Sequence, residues 1–133
     1  MMSGAIYLAG DAGDSAKWRN EFAVNAEDVF GKGCISNPAC TVSSLYAEYE
    51  KETAATKIRN CKVLVVNLYR LQNDIRAIYD VSIADEINRS GNNRIYILGY
   101  GKMPYMPRMS ECIWHVGLDE DDVISFITQN NLI

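Results

Sequence analysis

Val63-Leu64-Val65-Val66-Asn67-Leu68, with the segment Tyr79-Asp80-Val81-Ser82-Ile83-Ala84-Asp85-Glu86-Ile87 that follows it, decides how this chain folds. The first run is aliphatic and largely β-branched, with no polar alternation, which predicts a strand buried on both faces in the middle of a parallel sheet. In open α/β sheets ligands bind beyond the carboxyl ends of the strands. The stretch from Leu68 to Tyr79 leaves that end and leads to three carboxylates, Asp80, Asp85 and Glu86. Asp80 and Glu86 are therefore expected at the chemical centre.

Working outward, Gly4 to Gly10 reads as a short apolar strand closed by glycine, and Asp11 to Ser15 as a polar turn. A helix follows, with Trp18, Phe22, Asn25 and Val29 on one face and Phe30-Gly31 closing it. The Gly10-x-x-Gly13 turn and the helix start can hold an anionic or hydroxyl-rich group, though a full dinucleotide fingerprint is missing. Arg19, just inside the helix, either reaches the same ligand or is a solvated surface arginine. Gly33 to Ser36 is a brief strand stopped by Asn37-Pro38. Val42 to Asn60 reads as an amphipathic helix from Ser43 or Ser44, with Leu45, Tyr49, Thr53, Ala54, Lys57 and Ile58 inward.

Tyr69 to Ile78 is expected as a long, functional loop, and the next helix from about Val81 to Ser90. Arg94 to Gly99 is a second apolar strand. Met103, Met106 and Met109, with Tyr100 and Tyr105, form either a flexible apolar lid or a packing or subunit contact. A last strand, Cys112 to Val116, precedes a helix capped by Asp119 with Val123, Ile124 and Ile127 as its apolar side. Glu120, Asp121 and Asp122 suit its first turn electrostatically. This alternation predicts a single α/β domain, a flavodoxin-like three-layer sandwich around a mainly parallel sheet of about five strands.

A chain of 133 residues with net charge -4 supplies no basic field for long nucleic acid. It has no apolar run long enough to span a bilayer, and its N-terminus lacks the features of a signal peptide, so a cytoplasmic location is expected. Cys34, Cys40, Cys61 and Cys112 lack ligand spacing and His115 is the only histidine, so reduced thiols and no metal or other cofactor are expected. A Cys–His pair meeting in space is the minor alternative.

Several short motifs resemble one superfamily. Ile6-Tyr7-Leu8-Ala9-Gly10 is similar to the opening Y-L-A-G of nucleoside 2-deoxyribosyltransferases, and Trp18-Arg19 to a W-R in the first helix of some members. Asn37-Pro38 resembles the end of their second strand. Asp80 to Glu86-Ile87 resembles the pattern D-x-G-T-x-x-E-[IL]-G, with Ser82-Ile83 at the G-T positions, Asn88 at the final G, and Asp11 where proline usually follows Y-L-A-G. The resemblance implies attack by a carboxylate on C1′ of a nucleoside or nucleoside monophosphate, followed by sugar transfer or hydrolysis. It implies Glu86 as nucleophile, or Asp85 if Ser82-Ile83-Ala84-Asp85 matches an S-I-A-E form of the motif. Asp80 then serves the sugar or leaving base, with Tyr7, Gly10, Asp11, Arg19, Asn67 and Ser82 lining the substrate. It also implies a homo-oligomer whose subunits complete one another's sites. A non-catalytic nucleotide-binding domain on the same scaffold is the alternative.

Overall fold

A computed structural model describes residues 4–10, 16–36, 47–91 and 94–133. Five strands, β1 (Ile6–Leu8), β2 (Ile35–Ser36), β3 (Val63–Asn67), β4 (Tyr96–Tyr100) and β5 (His115–Gly117), form one parallel sheet in the order β2-β1-β3-β4-β5. The helices between them are α1 (Ala16–Phe30), α2 (Ala47–Asn60), α3 (Ile75–Ser90), α4 (Pro107–Cys112) and α5 (Glu120–Gln129). The α/β flavodoxin-like sandwich expected from the alternation is the fold observed.

The unpolar run behaves as its composition dictates. Val63, Leu64, Val65 and Val66 are all fully buried. Leu64 and Val66 join Ile58, Ala77, Val81 and Ala84 in a core on one face of the sheet, while Val63 and Val65 join Phe22, Ala26, Val123 and Ile127 on the other. One strand thus feeds two cores, which is why alternation is missing from its sequence.

Strand β1 pairs with β2 through Ile6↔Ile35 and with β3 through Ile6↔Val63, Tyr7↔Leu64 and Leu8↔Val65. The chain therefore crosses to one side of β1 first and to the other side next. That reversal opens a crevice beyond the carboxyl ends of β1 and β3, where sheets of this order hold their ligands.

The chain departs from the sequence-based expectation in three places, and at a fourth it decides between two readings. Helix α3 begins at Ile75, within the stretch expected as a loop, because the Asp74 side chain accepts the Ala77 amide and caps it. Only a turn and a 3-10 segment, Leu71–Asn73, separate it from β3. In α1 the inward face is Trp18, Arg19, Phe22 and Ala26, whereas Val29 is exposed. Of the readings given for Met103, Met106 and Met109, packing is the one observed: all three pack against the core, and α4 forms over part of the segment. The last strand is His115–Gly117, later than expected, after α4 takes up Cys112.

The end of α3 is tied by Asn88, whose side-chain amide donates to the Ile95 carbonyl at 2.8 Å and accepts the Ile95 amide at 2.7 Å. Helix α5 follows its reading closely: Asp119 accepts the Asp122 amide at 2.9 Å, and Val123, Ile124 and Ile127 are buried. Among the described residues, no helix is long and apolar enough to cross a membrane.

Candidate functional site

Three segments meet at the crevice: the end of β1, the buried face of α1, and the first turns of α3. The backbone turns at Gly10 with φ of +111°, a conformation side chains rarely adopt. A Cβ there would lie 2.5 Å from Asp74 Oδ2 and 3.2 Å from Arg19 Nη2. The absence of a side chain is what lets an acid and a guanidinium crowd this turn.

Asp80 is buried below the same turn, and the Gly10 amide donates to its Oδ2 at 3.0 Å. Burial pushes its carboxyl up to about 6, with Asp74 adding to the rise, while the Gly10 amide, Arg76 and Arg19 oppose it. Its second oxygen, Oδ1, has no hydrogen-bond partner among the described residues. Tyr7 lies close enough that burial and Asp80 hold its phenol above the ordinary range, against Arg76 and Arg19. The Tyr7 hydroxyl, too, has no partner among the described residues.

Arg19 is fully buried, and its Nη1 donates to the Leu8 carbonyl at 2.8 Å. Of the two readings offered for it, the solvated surface arginine is thereby excluded. Its guanidinium lies 5.3 Å from the Trp18 ring centre, so the cation is held between an aromatic face and the end of β1. Asn67, at the carboxyl end of β3, turns its Oδ1 back to accept the Tyr69 amide at 3.1 Å, which makes it a turn-forming group at the crevice margin.

The structure thus brings together Tyr7, Gly10, Arg19 and Asp80, with Asn67 at the margin. It does not bring Ser82, Asp85 or Glu86 to them. Six helical residues rise about 9 Å and turn about 240°, so Asp80 and Glu86 face different surroundings. Ser82, Asp85 and Glu86 line a separate open cavity of about 530 Å³ with Arg89, Arg108, Met109, Glu111 and Cys112. There Asp85 accepts from Arg89 Nε at 2.9 Å, and the exposed Ser82 hydroxyl bonds back to the Ile78 carbonyl. Asp11 lies outside the described residues, as do Asn37-Pro38 and Cys40.

Two participants were missed in the sequence: Asp74, in the expected loop, and Arg76. A signal for Asp74 existed. Asp74-x-x-x-x-x-Asp80-Val81 repeats the six-residue acid spacing and apolar follower of Asp80 to Glu86-Ile87, and aspartate is a preferred helix cap.

The cysteines offer little chemistry. Cys34 and Cys61 are buried free thiols, and burial pushes Cys61 up to about 12. Among the described residues no cluster of three or more His, Cys, Asp or Glu side chains is placed to hold a metal ion. No protein-family model matches this chain, and no curated protein matches it either.

Proposed function

We propose that the protein is an enzyme acting on the N-glycosidic bond of a (deoxy)nucleoside or nucleoside monophosphate, with Asp80 as its carboxylate nucleophile. The observation that carries this reading is the convergence of Asp80 and Asp74 on Gly10 at the strand-order reversal. In the register Asp74 to Asp80, the motif's two acids fall at this point, with Arg76-Ala77 at the G-T positions. Asp80 replaces Glu86 and Asp85 in the nucleophile's role.

The chemistry follows from the groups present. The Gly10 amide holds one Asp80 oxygen, and the other forms a bond to C1′ while the C1′–N bond breaks. The electron pair of that bond goes to the base, which takes a proton drawn from solvent and relayed by Asp74. Water or a second base then attacks C1′, the C1′–O bond to Asp80 breaks with its electron pair returning to the carboxylate, and the proton of the attacking group leaves through Asp74 to solvent. A carboxyl near 6 is ionised at neutral pH yet poorly solvated, which suits a nucleophile. A second copy of the chain completes the site under this reading, as the resemblance implies.

The test is to incubate the protein with a panel of deoxynucleosides and their monophosphates and measure free base. Asp80→Asn should lower the rate by about a thousandfold or more, while Glu86→Gln should leave it within about twofold. Loss of activity in Glu86→Gln with retention in Asp80→Asn would reverse the assignment. The second reading, a nucleotide-binding domain without chemistry, is favoured by the complete burial of Asp80 and Arg19. It expects thermal stabilisation by nucleotides and no base release from any member of the panel.

A further inference from the structure

Strand β5 closes one side of the sheet: β4 is its neighbour, and among the described residues no strand lies beyond it. An open strand edge presents backbone groups to any second strand, and proteins usually blunt such edges with lysine or proline. The run Trp114-His115-Val116-Gly117-Leu118 contains neither. Along it Trp114 is 49%, Val116 43% and Leu118 83% exposed, while His115 stacks on Phe126 with ring centres 3.8 Å apart. The edge is therefore apolar as well as open.

Its two ends carry opposite charges, and neither is matched by its opposite among the described residues. At the amino end, the Arg94 guanidinium lies 5.8 Å from the Tyr96 ring centre and 5.9 Å from that of Trp114. Arg94 also lines an open cavity of about 380 Å³ with Arg59 and Lys62, and no carboxylate side chain is among its lining residues. Among the described residues, none of these three cations forms an ion pair. At the carboxyl end, Leu118 leads into Asp119, Glu120 and Asp121, which line with it a recess that holds no lysine or arginine. Burial, then Glu21, Asp121 and Asp119, hold the Glu120 carboxyl above the usual range against a hydrogen bond with Asn25, so acids crowd one another there. The dipole of α5 favours acids in its first turn, but it brings no counter-charge to the exposed Asp121.

We infer that the chain forms a two-fold symmetric dimer in which β5 of each copy lies antiparallel beside β5 of the other, continuing the sheet through both subunits. The occupant of the edge is a second copy because the edge complements itself. About 13 Å of strand separates Trp114 from Leu118, and reversing the strand sets each charged end against its opposite. Arg94, beside Trp114, then meets the partner's Asp121, beyond Leu118, and the two-fold axis makes that contact twice. Val116 meets the partner's Val116 near the axis. A parallel second copy would set like charge against like at both ends. The edge is three strand spacings, about 15 Å, from β1, so this contact is distinct from one that completes the crevice and does not depend on the proposed chemistry.

Sedimentation equilibrium of the full chain tests the interface without requiring catalysis. At about 100 µM protein the parent should have the mass of a dimer. Val116→Lys sets two lysines against each other near the axis and should weaken the dimer by about a hundredfold. Arg94→Glu and Asp121→Lys, each of which sets like charges together twice, should weaken it by about thirtyfold. Combined in one chain they reverse the charge pair, and the double variant should return to within about threefold of the parent, a recovery that loss of folding could not produce. A monomer at that concentration would leave the edge to some other chain and overturn the inference. An oligomer as tight in Val116→Lys as in the parent would place the contact elsewhere on the molecule and overturn it equally. So would a double variant no tighter than Arg94→Glu alone.

Discussion

The two faces of α3 carry the same chemical group in two media. On the inner face, Asp80 is buried, bonded by the Gly10 amide, and raised to about 6 mainly by loss of solvent. On the outer face, Glu86 is exposed, and Asp85 pairs with an Arg89 side chain that is itself 74% exposed. Water screens the outer pair, so its arrangement costs little and changes little. The inner acid persists only because a glycine turn, two arginines and a helix cap surround it. An expensive arrangement held by several independent elements is the better candidate for function.

The sharpest way to break this comparison is at Gly10. Gly10→Ala should destabilise the fold by about 3 kcal/mol, through the unfavourable φ and the clash with Asp74, as measured by urea denaturation. A cost near that of an ordinary surface substitution would mean the turn is not tightly held.

Next is the acid itself. Asp80 binds its proton more tightly in the folded state, at about 6, than at its ordinary 3.8, so the native state carries the extra proton between those values. Stability should therefore fall as pH rises from about 4 to 6 and remain lowered above that, by up to about 3 kcal/mol. Asp80→Asn keeps an acceptor for the Gly10 amide and removes the buried charge. It should be more stable than the parent at pH 8 and lose this advantage at pH 4, as read from denaturation midpoints at the two pH values. A stabilised but inactive variant is the expected signature of a site maintained against stability.

Smaller effects follow. Asp74→Ala removes the cap of α3 and should cost about 1 kcal/mol; because Asp74 contributes to the rise at Asp80, the Asp80 carboxyl should titrate lower in this variant by NMR. On the outer face, Asp85→Ala should change stability by less than about 0.5 kcal/mol, the scale of an exposed i,i+4 pair. An outer-face effect as large as that at Asp74 would erase the distinction.

Much of the fold was legible because burial on two faces leaves a direct mark on composition. Val63 to Val66 could belong only to an enclosed strand, and Asp119 before an apolar helical face announced α5. The start of α3 was hidden, since Ile75 and Tyr79 are exposed and Ile78 only partly buried, which leaves Ala77 as the one fully inward residue before Asp80. Starting the helix at Val81 placed Asp80 at its mouth and made Glu86 its natural partner. Arg19 was illegible for a different reason. Its burial depends on the Leu8 carbonyl and on acids about 60 positions away, and no local pattern records such partners.

The interior position of β1 has a consequence for how the molecule is made. The strand emerges early in the chain, yet its central partner is β3, and the Gly10 amide finds its acceptor only at Asp80. Long-range closure is the slow part of folding, because its entropy is lost before any contact repays it. During synthesis the Gly10 end of the crevice therefore waits for the chain through α3, and protection of the Gly10 amide from hydrogen exchange marks the moment at which the crevice exists.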